Sequence, residues 1–64
     1  NCMKRRDLIK HLRRSGCFLK REGASHSLWM NPNNGHMEAV PRHVEIPNKL
    51  VRKICNALSI KNIA

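Results

Sequence analysis

Apolar residues recur at helical spacing near both ends of the chain. The segment KRRDLIKHLRRSG, residues 4–16, places three apolar side chains on one helical face: Leu8, Ile9 and Leu12. The segment PNKLVRKICNALSI, residues 47–60, forms a second such face: Leu50, Val51, Ile54, Ala57 and Leu58. Both segments are therefore predicted as helices, the second beginning at Pro47 and Asn48.

Between these helices, three short segments have the residue types and the bounding turns of strands. They are CFLKRE (17–22), SHSLWMN (25–31) and HMEAVP (36–41). Alternation along the second strand sends His26, Leu28 and Met30 to one side and Ser27 and Trp29 to the other. The tight connection at Gly23 and the NPNNG turn favour antiparallel hairpins. RHVEI, residues 42–46, is predicted as a loop.

The predicted order is α-β-β-β-α, an α+β fold formed by a single domain over residues 1–64. We expect both apolar helix faces to pack on one face of a three-stranded antiparallel sheet. The other face of the sheet is expected to stay open to solvent or a partner. Asn1 and Cys2 resemble an expression remnant before Met3, and residues 61–64 are expected to fray.

The charge of the chain is strongly positive. Thirteen Lys and Arg oppose four Asp and Glu, which gives a formal net charge of +9. Four of these cations form a stripe on the first helix, away from its apolar face: Arg6, Lys10, Arg13 and Arg14. Such a density favours a polyanion, with nucleic acid as the leading candidate. A solvated surface, or one matched to an acidic protein, is the alternative.

The cysteines and carboxylates give no pattern typical of a metal site. Cys2, Cys17 and Cys55 form no C-x-x-C pair, so neither a zinc cluster nor a disulfide framework is indicated. Reduced thiols fit a cytoplasmic protein, and no apolar run predicts a membrane span. The four carboxylates are dispersed along the chain, which disfavours a two-metal nuclease: Asp7, Glu22, Glu38 and Glu45. No cofactor is expected.

RNA cleavage without a metal is chemically possible for such a chain. The 2′-hydroxyl attacks the adjacent phosphate when a base takes its proton and an acid protonates the leaving 5′-oxygen. Imidazole suits both roles, because its ordinary pKa is about 6.5.

Four histidines are candidates for this role. His11 lies on a polar part of the first helix, His36 follows a turn, and His43 lies beside Arg42. His26 begins a strand next to a turn of small residues. Position alone leaves the choice open, and a strand-end histidine commonly only bonds a neighbour.

Four short motifs resemble the HicA (YcfA-like) toxin family of bacterial toxin–antitoxin systems. They are RDLIKHL..SG in the first helix, LKREGASHSLW across the first hairpin, AVPRH.EI after the third strand, and LVRKIC.AL in the second helix. Each motif is weak alone, but their order and spacing together are specific. The resemblance extends from Met3 to about Ile60.

The resemblance implies a fold like that of double-stranded RNA-binding domains and a small ribonuclease that cleaves mRNA and arrests translation. It also implies a HicB-like antitoxin, with the toxin monomeric when free and hetero-oligomeric when bound. The family's catalytic histidine, in a Gly-Ser-His motif, falls on His26. Ala24 stands where the family usually has glycine, and we expect it to restrict a positive φ there. Cys17 stands where an aromatic residue is common.

The sequence allows more than one role for each of the other polar and aromatic residues near His26. Ser25 and Ser27 are expected to orient the imidazole or contact RNA, or else to be ordinary turn and strand residues. Trp29 either stacks on a base or packs into the sheet or an antitoxin interface. The candidates for phosphate contacts, against simple surface charge, are Lys20, Arg21 and Arg42. A non-catalytic RNA-binding module is the alternative function, and a protein-interaction module is a third.

Overall fold

The three central strands and two helices follow each other as the apolar pattern predicts. The computed structural model describes residues 1–64. The elements are β1 (Cys2–Lys4), α1 (Arg5–Arg14), β2 (Phe18–Glu22), β3 (His26–Met30), β4 (Met37–Pro41), β5 (Glu45–Pro47) and α2 (Asn48–Ala57). The α+β fold with the main order α-β-β-β-α is confirmed. Neither helix has the length and hydropathy needed to cross a membrane.

A two-stranded sheet of β1 and β5 corrects the prediction at both helix starts. Met3 pairs with Ile46 and Lys4 pairs with Glu45 in antiparallel register. RHVEI is therefore not entirely a loop, since its last two residues belong to β5, and Lys4 precedes the first helix rather than beginning it. Three-residue strands are too short for a period of two to show. The two strands also lie more than 40 residues apart, so no local pattern indicates their pairing.

The larger sheet has the order β2-β3-β4, and its two faces differ in composition. The strand registers place six side chains on the face toward the helices, here named the covered face: Leu19, Glu22, Ser27, Trp29, Glu38 and Val40. The opposite face, here named the open face, carries Phe18, Arg21, His26, Leu28, Met30, Met37, Ala39 and Pro41. The predicted alternation along β3 is confirmed, because Ser27 and Trp29 are buried while His26 is exposed.

One apolar core lies between the covered face and the helices. Its ten buried residues come from both helices, the larger sheet, β5 and the residues that adjoin β2 and α2: Leu8, Leu12, Cys17, Trp29, Val40, Ile46, Val51, Ile54, Cys55 and Leu58. Trp29 is only 2% exposed, so the interpretation of this residue as part of the sheet packing is confirmed. The Arg13 guanidinium lies 5.2 Å from the centroid of the Trp29 ring, which makes a cation–π contact between α1 and the sheet.

Candidate active site

His26 is the first residue of β3 and lies on the open face at the end of the sheet. It pairs with Pro41 of β4, and its side chain is exposed. The backbone N–H of Arg42 donates to the carbonyl of Ser25 over 3.1 Å, which continues the β3–β4 ladder past His26. The imidazole makes no hydrogen bond within the chain, so both of its nitrogens are available to a ligand.

The turn before His26 depends on glycine at position 23. The Gly23 N–H donates to the His26 carbonyl over 2.8 Å and closes the β2–β3 turn. A Cβ atom at this position would lie 2.8 Å from the same oxygen, so a larger residue would displace the backbone of His26. Gly23 therefore sets the approach of the two strands at the point where His26 begins.

Ala24 has an ordinary backbone conformation. Positive φ occurs only at Gly16, Gly35 and Ser59. The expectation that an alanine at position 24 would oppose a positive φ is therefore wrong, since no positive φ is required there. In this turn, the glycine that the geometry requires is Gly23, and the requirement comes from close backbone approach.

A cluster of polar side chains lies behind His26, on the covered side of the sheet. The Ser27 hydroxyl donates to Oε1 of Glu22 over 2.5 Å and accepts from Nη2 of Arg5 over 2.9 Å. Nε of Arg5 also donates to the Pro41 carbonyl over 2.9 Å. Arg42 completes the cluster with a 2.7 Å ion pair to Glu22. These contacts join the start of α1 to the ends of β2, β3 and β4.

Hydrogen bonding within this cluster lowers the pKa of Glu22 from its ordinary value of 4.5. The largest cause is the hydrogen bond from Ser27, and the positive charges of Arg42 and Arg5 act in the same direction. The carboxylate therefore stays ionised as the acceptor that Ser27 and Arg42 share. The sequence pattern did not predict this cluster, because Arg5 lies outside the basic stripe on α1 and reaches Ser27 only through tertiary packing.

The serines and cations that were predicted from the sequence to contribute to the site do not all lie on the same face of the sheet. Ser25 is an exposed turn residue, whereas Ser27 is 2% exposed and faces away from the imidazole. Arg21 lies opposite Leu28 on the open face with His26. Lys20 occupies the irregularity in the β2–β3 pairing between Leu19 and Arg21. Arg42 lies on the covered side, and its Nε donates to the Gly23 carbonyl over 3.0 Å.

A basic groove adjoins the same end of the sheet. It has a volume of about 480 Å³ and is lined by Lys4, Arg5, Arg6, Arg42 and Val44. Four of the five lining residues are cationic, so an anion is the ligand that the groove favours electrostatically. Only Arg6 and Arg42 were singled out in the sequence. Lys4 and Arg5 join them because β1 pairs with β5 and brings the chain start beside the end of β4.

Two of the remaining three histidines have partners within the chain. Nε2 of His11 donates to the Lys61 carbonyl over 2.6 Å, and Nδ1 of His36 lies 3.2 Å from Oγ of Ser59. His43 is exposed and lies beyond β4, next to Arg42. His26 is thus the exposed histidine that a tight turn and a strand ladder together hold in place.

Residues with metal-binding or nucleophilic side chains do not gather elsewhere. No three His, Cys, Asp or Glu side chains lie together in a group that could hold a metal ion. Cys17 and Cys55 are buried, and burial raises the pKa of both thiols above the ordinary value. A protonated buried thiol is a poor nucleophile, so these cysteines belong to the core rather than to a reactive site.

The combination of an exposed imidazole and nearby cations suits chemistry on a phosphate ester. Imidazole transfers protons, and guanidinium groups bind and neutralise phosphate oxygens. A family model described as "HicA toxin of bacterial toxin-antitoxin" matches residues 5–60, nearly the whole chain. Comparisons with curated proteins and with solved structures return no match.

Proposed function

Since the chain belongs to the HicA family of toxins from bacterial toxin–antitoxin systems, we propose that it is a metal-independent endoribonuclease that cleaves mRNA. Its action would arrest translation in the cytoplasm until a HicB-like antitoxin binds and silences it. The free toxin is proposed to be a monomer that forms a hetero-oligomer with the antitoxin. The observation that supports this proposal best is the exposed imidazole of His26 at the end of a sheet that is bordered by arginines.

The proposed reaction is an attack of the RNA 2′-oxygen on the adjacent phosphorus. The 2′-hydroxyl loses its proton, the bond from phosphorus to the 5′-oxygen breaks, and the leaving oxygen gains a proton. The products are a 2′,3′-cyclic phosphate and a free 5′-hydroxyl. His26 is the group that transfers a proton in this scheme, as general base or as general acid. DNA has no 2′-hydroxyl and is not a substrate of this route.

Cations at the end of the sheet are proposed to hold the phosphate backbone. Arg21 shares the open face with His26, and a guanidinium there could contact the scissile phosphate. Arg42 and the other cations of the basic groove lie on the covered side of the same end, where they suit flanking phosphates. Lys20, in the adjoining strand irregularity, is a further candidate for such a contact.

Ser25 and Ser27 are assigned different proposed roles because their surroundings differ. Ser25 is exposed in the turn that precedes His26 and is proposed to contact RNA. Ser27 is buried and bonded to Glu22 and Arg5, so its proposed contribution is to hold the strand end in place. This orienting effect on His26 would act through the backbone, because the two side chains lie on opposite faces.

Parallel assays of wild type, His26→Ala and His43→Ala test the proposal. Cleavage of single-stranded RNA is measured in the presence of EDTA, and the melting temperature of each variant is recorded. We expect His26→Ala to lose about 10²–10⁴-fold in rate, the range for a lost acid–base group. His43→Ala is the matched control, because its imidazole is exposed at the same end of the sheet.

Three outcomes would count against the assignment. Equal cleavage by wild type and His26→Ala would exclude His26 as the catalyst. Loss of activity on addition of EDTA would exclude the metal-independent route. Salt-dependent binding of duplex RNA without any product would favour the non-catalytic RNA-binding module instead.

A further inference from the structure

The centre of the open face is apolar and is not covered by any part of the chain. Phe18, Met30 and Met37 lie side by side across the three strands, and Leu28 and Ala39 form the next row. Phe18 is 44% exposed and Met37 is 49% exposed. Both helices contribute to the core on the opposite side. A contiguous exposed apolar surface of this kind typically marks an interaction site.

The composition of this surface favours protein over RNA as its occupant. Phe18 is the only Phe, Tyr or Trp on the face, and thioether and alkyl side chains offer nothing to a phosphate backbone. Methionine adapts to the shape of an apolar partner surface and is common where proteins bind each other. The cations suited to phosphate lie mainly on the helices and in the basic groove.

The charge around the surface favours an acidic partner over a second copy of the chain. Arg21 lies on the open face beside Leu28, and the whole chain carries a formal charge of +9. Two copies meeting through this face would bring like charges together, whereas acidic side chains bordering an apolar patch would pair with Arg21. Pairing through the edge of β2 is disfavoured by the irregularity at Lys20, where the register with β3 shifts and the strand is expected to bend.

We propose that the apolar centre of the open face is the docking surface for the antitoxin, which would present an apolar patch bordered by acidic side chains. The inference rests on the proposed function, since it names the surface through which neutralisation occurs. His26 lies on the same face, two residues from Leu28 along β3, a separation of about 7 Å. A protein seated on Leu28 and Met30 therefore lies close enough to His26 to obstruct the approach of RNA.

The test measures antitoxin binding by variants of the surface. The protein encoded by the adjacent reading frame serves as the antitoxin, and its dissociation constant is measured by calorimetry against wild type, Phe18→Asn and Met37→Asn. Ile63→Asn is the matched control, because Ile63 is an exposed apolar residue in the C-terminal segment outside the sheet. RNA cleavage without antitoxin and melting temperature are recorded for every variant.

We expect Phe18→Asn and Met37→Asn each to weaken antitoxin binding by about tenfold or more, the effect of truncating an interface anchor. Ile63→Asn should change binding by less than about twofold. All three variants should keep the RNA cleavage of wild type, and cleavage by the two surface variants should resist inhibition by antitoxin. These results together would locate the antitoxin on the open face.

Other results would overturn the proposal and identify the occupant. Unchanged antitoxin binding by both surface variants would place the interface elsewhere. Loss of RNA cleavage with unchanged antitoxin binding would assign the face to RNA. A wild-type dimer that becomes monomeric in either variant would assign it to a second copy. If the adjacent-frame protein does not bind wild type, the docking proposal fails, whereas the cleavage assay still judges the ribonuclease proposal separately.

Discussion

The covered face and the open face arise from the same three strands, yet they have different surroundings. Trp29 is 2% exposed beneath the helices, while the neighbouring Met30 remains half-buried on the opposite side. Both helices direct their apolar side chains toward the covered face. The stability of this small domain therefore depends mainly on one face of the sheet. The other face can carry exposed residues that serve binding or catalysis.

The two faces also divide the polar residues near the candidate site. Glu22 and Ser27 are held by arginines on the covered side, where their hydrogen bonds join four elements of the fold. His26 lies on the open side without an intramolecular partner. A polar group that is satisfied within the chain stabilises the structure, whereas an exposed one is available to a ligand. Ser27 therefore stabilises the strand end, whereas His26 is available for the proton transfer proposed for it.

Replacing Trp29 with alanine should have the largest effect and tests the difference between the faces directly. Removing a buried tryptophan costs about 3–5 kcal/mol, which approaches the whole stability expected for a domain of this size. The matched substitution Met30→Ala on the open face should cost only about 1 kcal/mol, since that side chain is already partly exposed. Urea denaturation followed by circular dichroism gives both values. Similar losses of stability in the two variants would contradict the conclusion that the covered face stabilises the domain more than the open face does.

Much of the fold was predictable because its main signals are local. The apolar periodicity of the helices and the NPNNG turn each depend on neighbouring residues only, and both helices and all three central strands formed where they were expected. The pairing of β1 with β5 was not predictable, because it joins segments more than 40 residues apart through only three residues on each side. The tight connection at Gly23 is local and was predicted, but its 2.8 Å approach to the His26 carbonyl depends on the turn geometry, which the residue types alone do not specify.

The location of His26 at a strand start was predictable, but its surroundings were predictable only in part. Alternation along β3 sends Ser27 to the side of Trp29, so the burial of Trp29 carried a signal for the burial of Ser27. No such signal existed for Arg5, whose partners Ser27 and Pro41 lie on other elements. The catalytic role of His26 remains a prediction that the RNA cleavage assay tests.

Glu22→Gln should have an intermediate effect that depends on pH. The folded state lowers the pKa of Glu22, so the carboxylate contributes stability above its ordinary value of 4.5. This contribution is lost as the pH falls below 4.5 and through the lowered pKa. We expect the urea midpoint of wild type to decline more steeply than that of Glu22→Gln between about pH 5 and pH 3.

Glu45→Gln is the control for this comparison. Glu45 is a similarly exposed carboxylate that pairs with Lys4 over 3.3 Å, away from the polar cluster. Its replacement removes one exposed carboxylate without touching the contacts of Ser27, Arg5 and Arg42, so it reports the effect of losing a carboxylate outside the cluster. A constant difference between wild type and Glu22→Gln at every pH would show that the ionised carboxylate of Glu22 does not stabilise the fold. The support that Arg5 and Arg42 give to the strand ends would then rest on their hydrogen bonds to Ser27, Pro41 and Gly23 alone.

Ala24→Gly should have the smallest effect, although the family usually has glycine at this position. Ala24 does not adopt a positive φ, so glycine relieves no strain in the folded state. Glycine instead increases the freedom of the unfolded chain, which costs about 0.4–1 kcal/mol of stability. RNA cleavage should equal that of wild type, because the approach of the turn to His26 is set by the neighbouring Gly23. Steady-state kinetics and thermal denaturation check both expectations.

Gly23→Ala is the matched substitution one residue earlier, and it should behave differently. Its Cβ would meet the His26 carbonyl oxygen at 2.8 Å, so the strand start must shift and carry the imidazole with it. A shift approaching 1 Å in a catalytic group can reduce the rate by about a hundredfold, and we expect at least a tenfold loss. A gain of activity in Ala24→Gly, or none lost in Gly23→Ala, would mean that this turn does not position His26 for catalysis. The exposed imidazole would then owe its geometry to β4, through the pairing of His26 with Pro41.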